Sequence, residues 1–281
     1  MTQSNQKPNS SKIIRDNIEM HDAPGYAEFY DKTLGLIKNS WERKFFLTHL
    51  YKIVSDLKQQ FNNRTITALD LGAGTGNLTL ELLKSGIEVT ALDISEKMLE
   101  RLKENVRTHQ LNENKLTVIC KPVDDFLVET IKASQNFHLV CACSFYHHLP
   151  DYIRTLRLAS KTVLPCGYLY LTHEPMYKSG ISEFSKLMQR LDFKLWRLQV
   201  HISKLFGYAK NVDKFYNPEN QADYWDMTSG CNQYEICNIL DNEGFKVKLN
   251  EYDSKRSRML HHLCKLLGTK TLFAITAKRK I

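Results

Sequence analysis

Three glycines at alternate positions are the residues of this sequence best suited to binding a nucleotide-like ligand. Gly72, Gly74 and Gly76 follow the apolar run 66–71. A chain that leaves a strand and turns sharply into a helix needs residues without side chains here, because backbone N–H groups must approach a ligand at the helix N-terminus. Asp93 ends the next apolar run, 17 residues after Gly76, where a carboxylate would accept hydrogen bonds from ribose hydroxyls.

The spacing of these residues distinguishes two kinds of nucleotide ligand. The pattern is G-x-G-x-G, whereas dinucleotide sites place the third glycine one position later, where Asn77 stands here. Asp70 comes just before the glycines. A carboxylate there would repel a pyrophosphate, but it suits the ammonium group of a bound amino acid. The two details favour S-adenosylmethionine over NAD.

Apolar runs and helical patterns alternate on both sides of this turn. We predict strands over 66–71, 87–93, 116–120, 137–143 and 168–172, separated by helices over 77–85, 95–110, 124–133 and 151–163. Residues 165–167 read as a turn before the fifth strand, and the runs 245–252 and 270–278 read as two closing strands. Strands that alternate with helices indicate a parallel sheet covered on both faces.

The motifs taken together resemble the class I S-adenosylmethionine-dependent methyltransferases of the small-molecule type. The resemblance is carried by the glycine turn with Asp93, by residues 137–151 around the fourth strand, by residues 163–169 and by the tyrosine-containing segment 27–31. It extends over residues 26–175 closely and over 232–280 loosely.

This resemblance implies an α/β fold with a Rossmann-like, seven-stranded, mostly parallel sheet, N-terminal helices and a helical cap insertion. We predict a flexible N-terminal segment over 1–25 and a methyltransferase domain over 26–281. Within that domain we expect N-terminal helices over 26–64, a cofactor-binding core over 65–175, a cap over 176–230, and a C-terminal helix and strands over 231–281.

The family also implies roles for matching positions in binding S-adenosyl-L-methionine. Asp70 would face the methionine amino group, and Asp93 would hold the ribose hydroxyls. An acid expected near position 122 for the adenine is displaced here, so either the Asp124 carboxylate or the Val123 backbone would make that contact. Met98 would contact the adenine or pack in the core. The other positions predicted to line the cofactor are Tyr30, Gly72, Ala73, Gly74, Gly76, Asn77, Ile94 and Ser144.

Methyl transfer to oxygen usually needs a base beside the acceptor. His147, His148 and His173 are the candidates, because they follow the fourth and fifth strands and ligands bind outside the carboxyl ends of such strands. Paired polar residues after the fourth strand also occur without a catalytic role, so that reading of His147 and His148 stays open. We expect a small-molecule acceptor, O-methylation ahead of N- or C-methylation, and no metal.

Positive charge is concentrated in two late segments of the chain. The net charge is +8, of which residues 176–210 carry +5 and residues 253–281 carry +7, leaving −4 elsewhere. This asymmetry is compatible with a solvated basic face, an anionic acceptor, nucleic acid or an acidic membrane surface. Without a secretory signal or an apolar run long enough to span a bilayer, we predict a cytoplasmic protein.

Apolar residues recur at steps of three and four over 181–205, which predicts an amphipathic cap helix. Its apolar face would pack on the sheet domain, line a hydrophobic acceptor pocket, or contact a membrane surface. Tyr216, Tyr224 and Trp225 would line the acceptor site or belong to the core. An RNA methyltransferase, a membrane-associated lipid methyltransferase and a non-catalytic S-adenosylmethionine-binding protein remain open alternatives.

Overall fold

A seven-stranded sheet forms the centre of the computed structural model, which describes residues 10–31, 40–62, 64–205, 230–255 and 258–281. The strands are β1 (Thr67–Leu71), β2 (Glu88–Asp93), β3 (Leu116–Cys120), β4 (Phe137–Cys143), β5 (Val163–Pro175), β6 (Phe245–Tyr252) and β7 (Leu272–Arg279). They follow the order β3-β2-β1-β4-β5-β7-β6. β1 to β5 pair in parallel, and β7 is antiparallel to both β5 and β6. The predicted Rossmann-like, mostly parallel sheet is confirmed.

Helices precede and cover the sheet. They are α1 (Ser10–His21), α2 (Tyr26–Phe29), α3 (Ser40–Gln60), α4 (Thr79–Lys84), α5 (Glu96–Thr108), α6 (Val123–Lys132), α7 (Tyr152–Lys161), α8 (Glu183–Leu205), α9 (Gln233–Asn242) and α10 (Arg258–Leu266). The Ser95 side chain accepts a hydrogen bond from the Met98 N–H, which makes Ser95 the N-cap of α5.

Two apolar cores lie on opposite faces of the sheet. One core packs α3, α4 and α5 against the sheet, and the other packs α6, α7 and α9 against it. β4 shows the alternation that divides them: Leu139 and Cys141 point into the first core, and Val140 and Ala142 point into the second. Residues at the carboxyl ends of β1, β2, β4 and β5 therefore share one edge of the sheet.

β5 differs from its predicted form. The turn predicted over 165–167 is wrong, because these residues lie inside a strand that runs from Val163 to Pro175. Cys166 has φ +64, and the pairing of β4 with β5 shifts register beside it, so the turn-forming composition produces a bulge rather than a chain reversal. A second irregularity lies between Leu171 and Glu174 in the pairing with β7, where His173 has φ +58.

The N-terminal segment contacts the core that follows it. The Asn17 side-chain amide of α1 donates to the His148 carbonyl at 3.3 Å. Asp22 accepts from the Ser95 hydroxyl at 2.6 Å and from the Lys97 N–H at 3.2 Å, which places a carboxylate at the N-terminus of α5. Over residues 10–25 the structure shows helix and turn, and the flexible segment over 1–25 with its boundary at residue 25 stays a prediction.

The cap helix predicted over 181–205 is present as α8, but one expectation about it is wrong. Its row of leucines is exposed rather than packed on the sheet domain, and the side chains of Ser185 and Asp192 are buried instead. The Ser185 hydroxyl accepts from the Lys270 N–H at 3.4 Å, next to the start of β7. Tyr216, Tyr224 and Trp225 lie outside the described residues. Within the described ranges, no helix is long and apolar enough to cross a bilayer.

Candidate active site

Asp93 connects the glycine turn to the helix that follows β2. Its Oδ2 accepts from the Gly74 N–H at 2.8 Å, and its Oδ1 accepts from the Ser95 N–H at 2.9 Å. The Ala73 N–H in turn donates to the Leu92 carbonyl at 2.9 Å. The carboxylate is partly exposed, and each of its oxygens has a second acceptor direction. This geometry leaves Asp93 able to bind hydroxyl groups at the edge of the sheet.

The three glycines of the turn differ in what requires them. A Cβ on Gly72 would lie 2.1 Å from the Phe145 ring, and a Cβ on Gly76 would lie 2.4 Å from Leu102 Cδ1. The nearest atom to a Cβ on Gly74 is Met98 Cε, at 3.5 Å. The outer glycines thus permit close packing, whereas the space above Gly74 is open to a ligand that approaches its backbone.

Asp70 is buried beneath the turn. It is 1% exposed, and its Oδ2 accepts from the Thr79 hydroxyl at 2.6 Å. Burial raises the pKa of this carboxyl to about 7, and the nearby charge of Asp93 adds to the effect, while the hydrogen bonds from Thr79 act in the opposite direction. Asp70 is thus a carboxyl whose charge state near neutral pH depends on a positive partner.

Tyr30 comes to the glycine turn from the N-terminal helices. Burial raises the pKa of its hydroxyl, with a further contribution from the Asp93 carboxylate, and the Asn77 side chain hydrogen-bonds to it. The next residue, Asp31, anchors this part of the chain to α5, because its carboxylate accepts a hydrogen bond from Arg101 Nε at 2.7 Å. Tyr30, Asn77 and Asp93 therefore lie together, as the predicted cofactor site requires, although their roles stay a proposal.

The residues predicted to border the adenine come from the end of β2, from α5 and from the start of α6. Met98 is 3% exposed and packs against residues of α2, so it serves the core as well as lying beside Gly74. Asp124 accepts from the Thr155 hydroxyl at 2.6 Å and lies 3.2 Å from Arg154 Nε. Both of its oxygens are thus engaged by α7. Among the nearby predicted positions, Ile94 follows β2 and Val123 begins α6.

His147 and His148 belong to a network that fixes the loop after β4. Glu174 is fully buried and accepts from the N–H groups of Phe145 and Tyr146 at 2.7 and 3.0 Å. Its Oε2 lies 2.8 Å from His147 Nδ1. Burial acts to raise the pKa of Glu174, but the His147 ring and the backbone donors outweigh it and lower that pKa.

The His147 and His148 rings lie against each other in a single turn, with their planes tilted by 40°. Their centroids are 4.1 Å apart, within the 3-10 turn Tyr146–His148. Just before it, Ser144 has φ +55 and donates its N–H to the Thr172 carbonyl at 2.9 Å. Glu174 holds this loop by several hydrogen bonds at once. The carboxylate beside His147 therefore stabilises the loop, and this side of the His147 ring is not open to a ligand.

A second acid–imidazole pair joins His173 of β5 to Glu42 of α3. His173 Nε2 lies 3.1 Å from Glu42 Oε1 at the start of α3, and the Ser254 hydroxyl donates to Glu42 Oε2 at 2.6 Å. Burial acts to raise the pKa of Glu42, but His173 and Ser254 outweigh it and lower that pKa. The positive φ of His173 is the strained backbone of a bulge, a feature that re-aims side chains at functional sites.

Sequence reasoning did not find Glu42, the partner of His173, or Ser254 and His261, which interact with Glu42. Glu42 follows Trp41 in α3, Ser254 follows β6, and His261 lies in α10. His261 is 6% exposed, and its ring centroid lies 4.6 Å from that of Trp41. Burial lowers the pKa of His261. These residues come from separate segments, and no local motif marks them, so only the folded chain brings them together.

The arrangement can hold a nucleotide-like ligand next to an imidazole oriented by a carboxylate. The glycine turn and Asp93 lie at the carboxyl ends of β1 and β2, and His173 lies near the carboxyl end of β5. Among the described residues, no cluster of three or more His, Cys, Asp or Glu side chains could hold a metal ion. The imidazole of His173, which Glu42 orients, can support acid–base chemistry at this edge.

Comparison with known proteins matches the part of the chain that carries the glycine turn. Residues 68–167 match the family described as a methyltransferase domain. The chain is 28% identical over 116 residues to the ubiquinone biosynthesis O-methyltransferase of Coxiella burnetii, covering 41% of this chain and 47% of that protein. It is 26% identical over 121 residues to the malonyl-(acyl-carrier protein) O-methyltransferase of Priestia megaterium, covering 42% and 40%. The chain thus spans less than half the length of these relatives.

Solved structures extend the similarity to the whole fold. The magnesium protoporphyrin IX methyltransferase of Synechocystis PCC 6803, solved with bound SAH, superposes with a TM-score of 0.53 at 13% identity, covering 95% of this chain and all of that one. A SAM-dependent methyltransferase from Archaeoglobus fulgidus gives a TM-score of 0.52 at 18% identity, covering 90% and 99%. At these identities the likeness shows a shared fold.

Proposed function

We propose that this chain, which contains a class I S-adenosylmethionine-dependent methyltransferase domain, transfers a methyl group to an oxygen atom of a small-molecule acceptor. The observation that carries the oxygen preference is the His173–Glu42 pair, which lies at the same edge of the sheet as the glycine turn. The curated relatives named above are O-methyltransferases, which supports the same preference.

The residues of the turn fit S-adenosyl-L-methionine. The open space above Gly74 admits a ligand to the backbone, and the partly exposed carboxylate of Asp93 suits the ribose hydroxyls. Asp70 would neutralise the amino group, and Tyr30 with Asn77 would border the methionine end. Ile94, Met98 and the Val123 backbone would border the adenine, and we place Asp124 outside this contact because α7 engages it. When bound, the cofactor supplies an activated methyl group.

His173 would act as the general base. An acceptor hydroxyl beside its imidazole would give up its proton to the ring as the oxygen gains the methyl group, and the proton would then leave to solvent. Glu42 would orient the ring and stabilise the imidazolium that forms, while Ser254 fixes the carboxylate. Trp41 and His261 would border the acceptor and exclude water from it.

Calorimetry together with a transfer assay tests this proposal. We expect S-adenosylmethionine and its demethylated product to bind the purified protein with one site per chain. We also expect transfer of labelled methyl to at least one hydroxylated compound in a panel that includes phenols, carboxylic acids and amines. Absence of binding by both ligands would overturn the cofactor assignment. Methylation confined to the amines would overturn the oxygen preference while leaving the cofactor site intact.

Cofactor affinity should rise with pH around the pKa of Asp70. In the free protein, burial keeps this carboxyl protonated below its pKa of about 7, whereas pairing with an ammonium group requires the ionised form. Binding below this pH should therefore release a proton and weaken by up to about tenfold per pH unit. Calorimetry in buffers of different ionisation enthalpy measures both effects.

Asp70→Asn provides the control for this pH dependence. The variant removes a buried ionisable group while keeping an oxygen that can accept from Thr79, so the ligand-free fold should be at least as stable above neutral pH. We expect its remaining cofactor affinity to be flat with pH. A pH dependence equal to that of the unaltered protein would mean that another group is responsible.

A further inference from the structure

The outward side of α8 carries a continuous apolar stripe. Its members recur at steps of three and four, so they share one side of the helix, and they are between 39% and 56% exposed. They are Phe184, Leu187, Leu191, Leu195, Leu198 and Ile202. An expected contact between such a stripe and the sheet domain is absent in the described residues, which leaves the stripe facing away from the core.

α10, which packs against α8, carries further exposed leucines. It ends in three exposed leucines, Leu263, Leu266 and Leu267, of which Leu266 is 85% exposed. We call the nine side chains the apolar face. Within the described ranges, the other large exposed hydrophobic side chains are three tyrosines and the last residue, Ile281. Apart from Ile281, the exposed aliphatic side chains of the described residues are thus concentrated on two helices that contact each other, and such a concentration marks an interaction site.

Basic side chains border the apolar face. Arg190, Lys194 and Arg197 are exposed at steps of four and three on the side of α8 that adjoins the stripe, and Lys265 lies among the leucines of α10. The exposed acid of α8, Glu183, is paired with Lys186 at 2.6 Å, and Asp192 is buried. The charge that this face presents is therefore positive.

We propose that the apolar face docks onto the surface of an anionic lipid bilayer, with α8 lying in the plane of the interface. A helix of this kind buries its apolar side at the boundary of the acyl chains while its basic side chains meet lipid phosphates. The concentration of positive charge in residues 176–210 and 253–281, against a net negative remainder, fits an anionic partner. A second copy that docked through the same face would offer the basic row no free negative charge, because Glu183 is paired with Lys186 and Asp192 is buried.

α10 contributes to both the apolar face and the surroundings of the candidate site. His261 points inward from α10 onto Trp41, and the leucines of the same helix point outward. Docking itself does not depend on methyl transfer. A further step, which rests on the proposed function, is that an acceptor able to partition into lipid would reach His173 from the docked side.

Vesicle sedimentation with the full chain tests the docking. We expect the protein to sediment with vesicles of phosphatidylcholine and phosphatidylglycerol, to bind vesicles of phosphatidylcholine alone more weakly, and to dissociate as salt is raised. The measurement needs no cofactor, so its outcome is separate from that of the methyl-transfer assay. Failure of the unaltered protein to bind the anionic vesicles would overturn the proposal.

Two paired variants separate the apolar and the basic contributions. Leu191→Glu with Leu195→Glu should weaken vesicle binding by at least about tenfold, because both side chains are exposed and their loss costs the fold little. Arg190→Glu with Lys194→Glu should weaken binding on the order of a hundredfold. Lys103→Glu reverses an exposed charge on α5, away from the apolar face, and serves as the matched control.

The same variants also test for other occupants of the face. Equal binding by the leucine variant and the Lys103→Glu control would contradict docking through α8. A change of oligomeric state in the leucine variant, seen by light scattering and without vesicle binding by the unaltered protein, would assign the face to a second copy and overturn the proposal. Salt-sensitive vesicle binding that only the α8 variants lose would support it.

Discussion

We expect Asp93→Ala to lower the affinity for S-adenosylmethionine by about 100- to 10,000-fold. The carboxylate holds the Gly74 and Ser95 N–H groups and would accept from both ribose hydroxyls. Each hydrogen bond to a charged group contributes roughly 1.5–3 kcal/mol, so the loss of two such bonds to the ligand gives this range. Calorimetric titration with the cofactor and with its demethylated product measures the effect.

Two variants control for charge and for folding. Glu96→Ala removes an exposed acid in the first turn of α5, close to Asp93 in sequence, and should leave cofactor affinity within about threefold of normal. Asp93→Asn keeps one acceptor oxygen and should give an intermediate affinity. Unchanged affinity in Asp93→Ala, with a melting temperature near that of the unaltered protein, would refute the ribose role.

If His173 is the general base, we expect His173→Ala to lower the rate of methyl transfer by about 100- to 10,000-fold, the usual contribution of a positioned general base. Cofactor affinity should stay unchanged, because His173 lies on the acceptor side of the edge, against Glu42. The split between turnover and cofactor binding distinguishes this variant from Asp93→Ala. Single-turnover rates with labelled cofactor, measured on the acceptor found in the transfer assay, give the comparison.

Glu42→Gln isolates the orienting role of the carboxylate. The amide keeps a hydrogen-bonding oxygen, but it removes the negative charge that stabilises a protonated His173 ring. We expect a smaller loss of rate and a shift of the acidic limb of the pH–rate profile to lower pH. His109→Ala, on the exposed end of α5, is the matched histidine control. If His173→Ala kept the full rate of methyl transfer, a group other than His173 would have to act as the base.

The parts of the site that could be predicted from sequence are those that depend on neighbouring residues. The glycine turn lies directly between a strand and a helix, and Ser95 caps the helix that follows Asp93. Their geometry is set by local backbone requirements, since Gly72 and Gly76 need positive φ and close contacts. The alternation of strands and helices likewise predicted that the first five strands run parallel to one another.

The residues around His173, on the proposed acceptor side of the site, could not be predicted in the same way. Glu42 meets His173 across 131 positions of sequence, and Ser254 and His261 arrive from still later segments. Such contacts follow from how β6, α3 and α10 pack, not from any spacing along the chain. His147 was a reasonable candidate by residue type, but Glu174 engages it together with the backbone of its loop.

The sequence pattern also did not determine what surrounds residues 165–167 and helix α8. Residues 165–167 have the composition of a turn, yet a bulge within β5 uses the same residues, because Gly167 lies close to the His138 carbonyl and Cys166 takes a positive φ. The amphipathic period of α8 correctly indicated a helix with an apolar side. It did not indicate what covers that side, since periodicity describes one helix and not its neighbours.

The place of β7 in the sheet constrains how the chain can mature during synthesis. β7 follows every other strand in sequence, yet it lies between β5 and β6 and hydrogen-bonds to both. As the chain leaves the ribosome, β5 therefore has an unpaired edge until residues 272–279 have emerged. A nascent chain at that stage would be a substrate for chaperones, and β7 would pair with β5 only after synthesis had passed the part that carries the glycine turn.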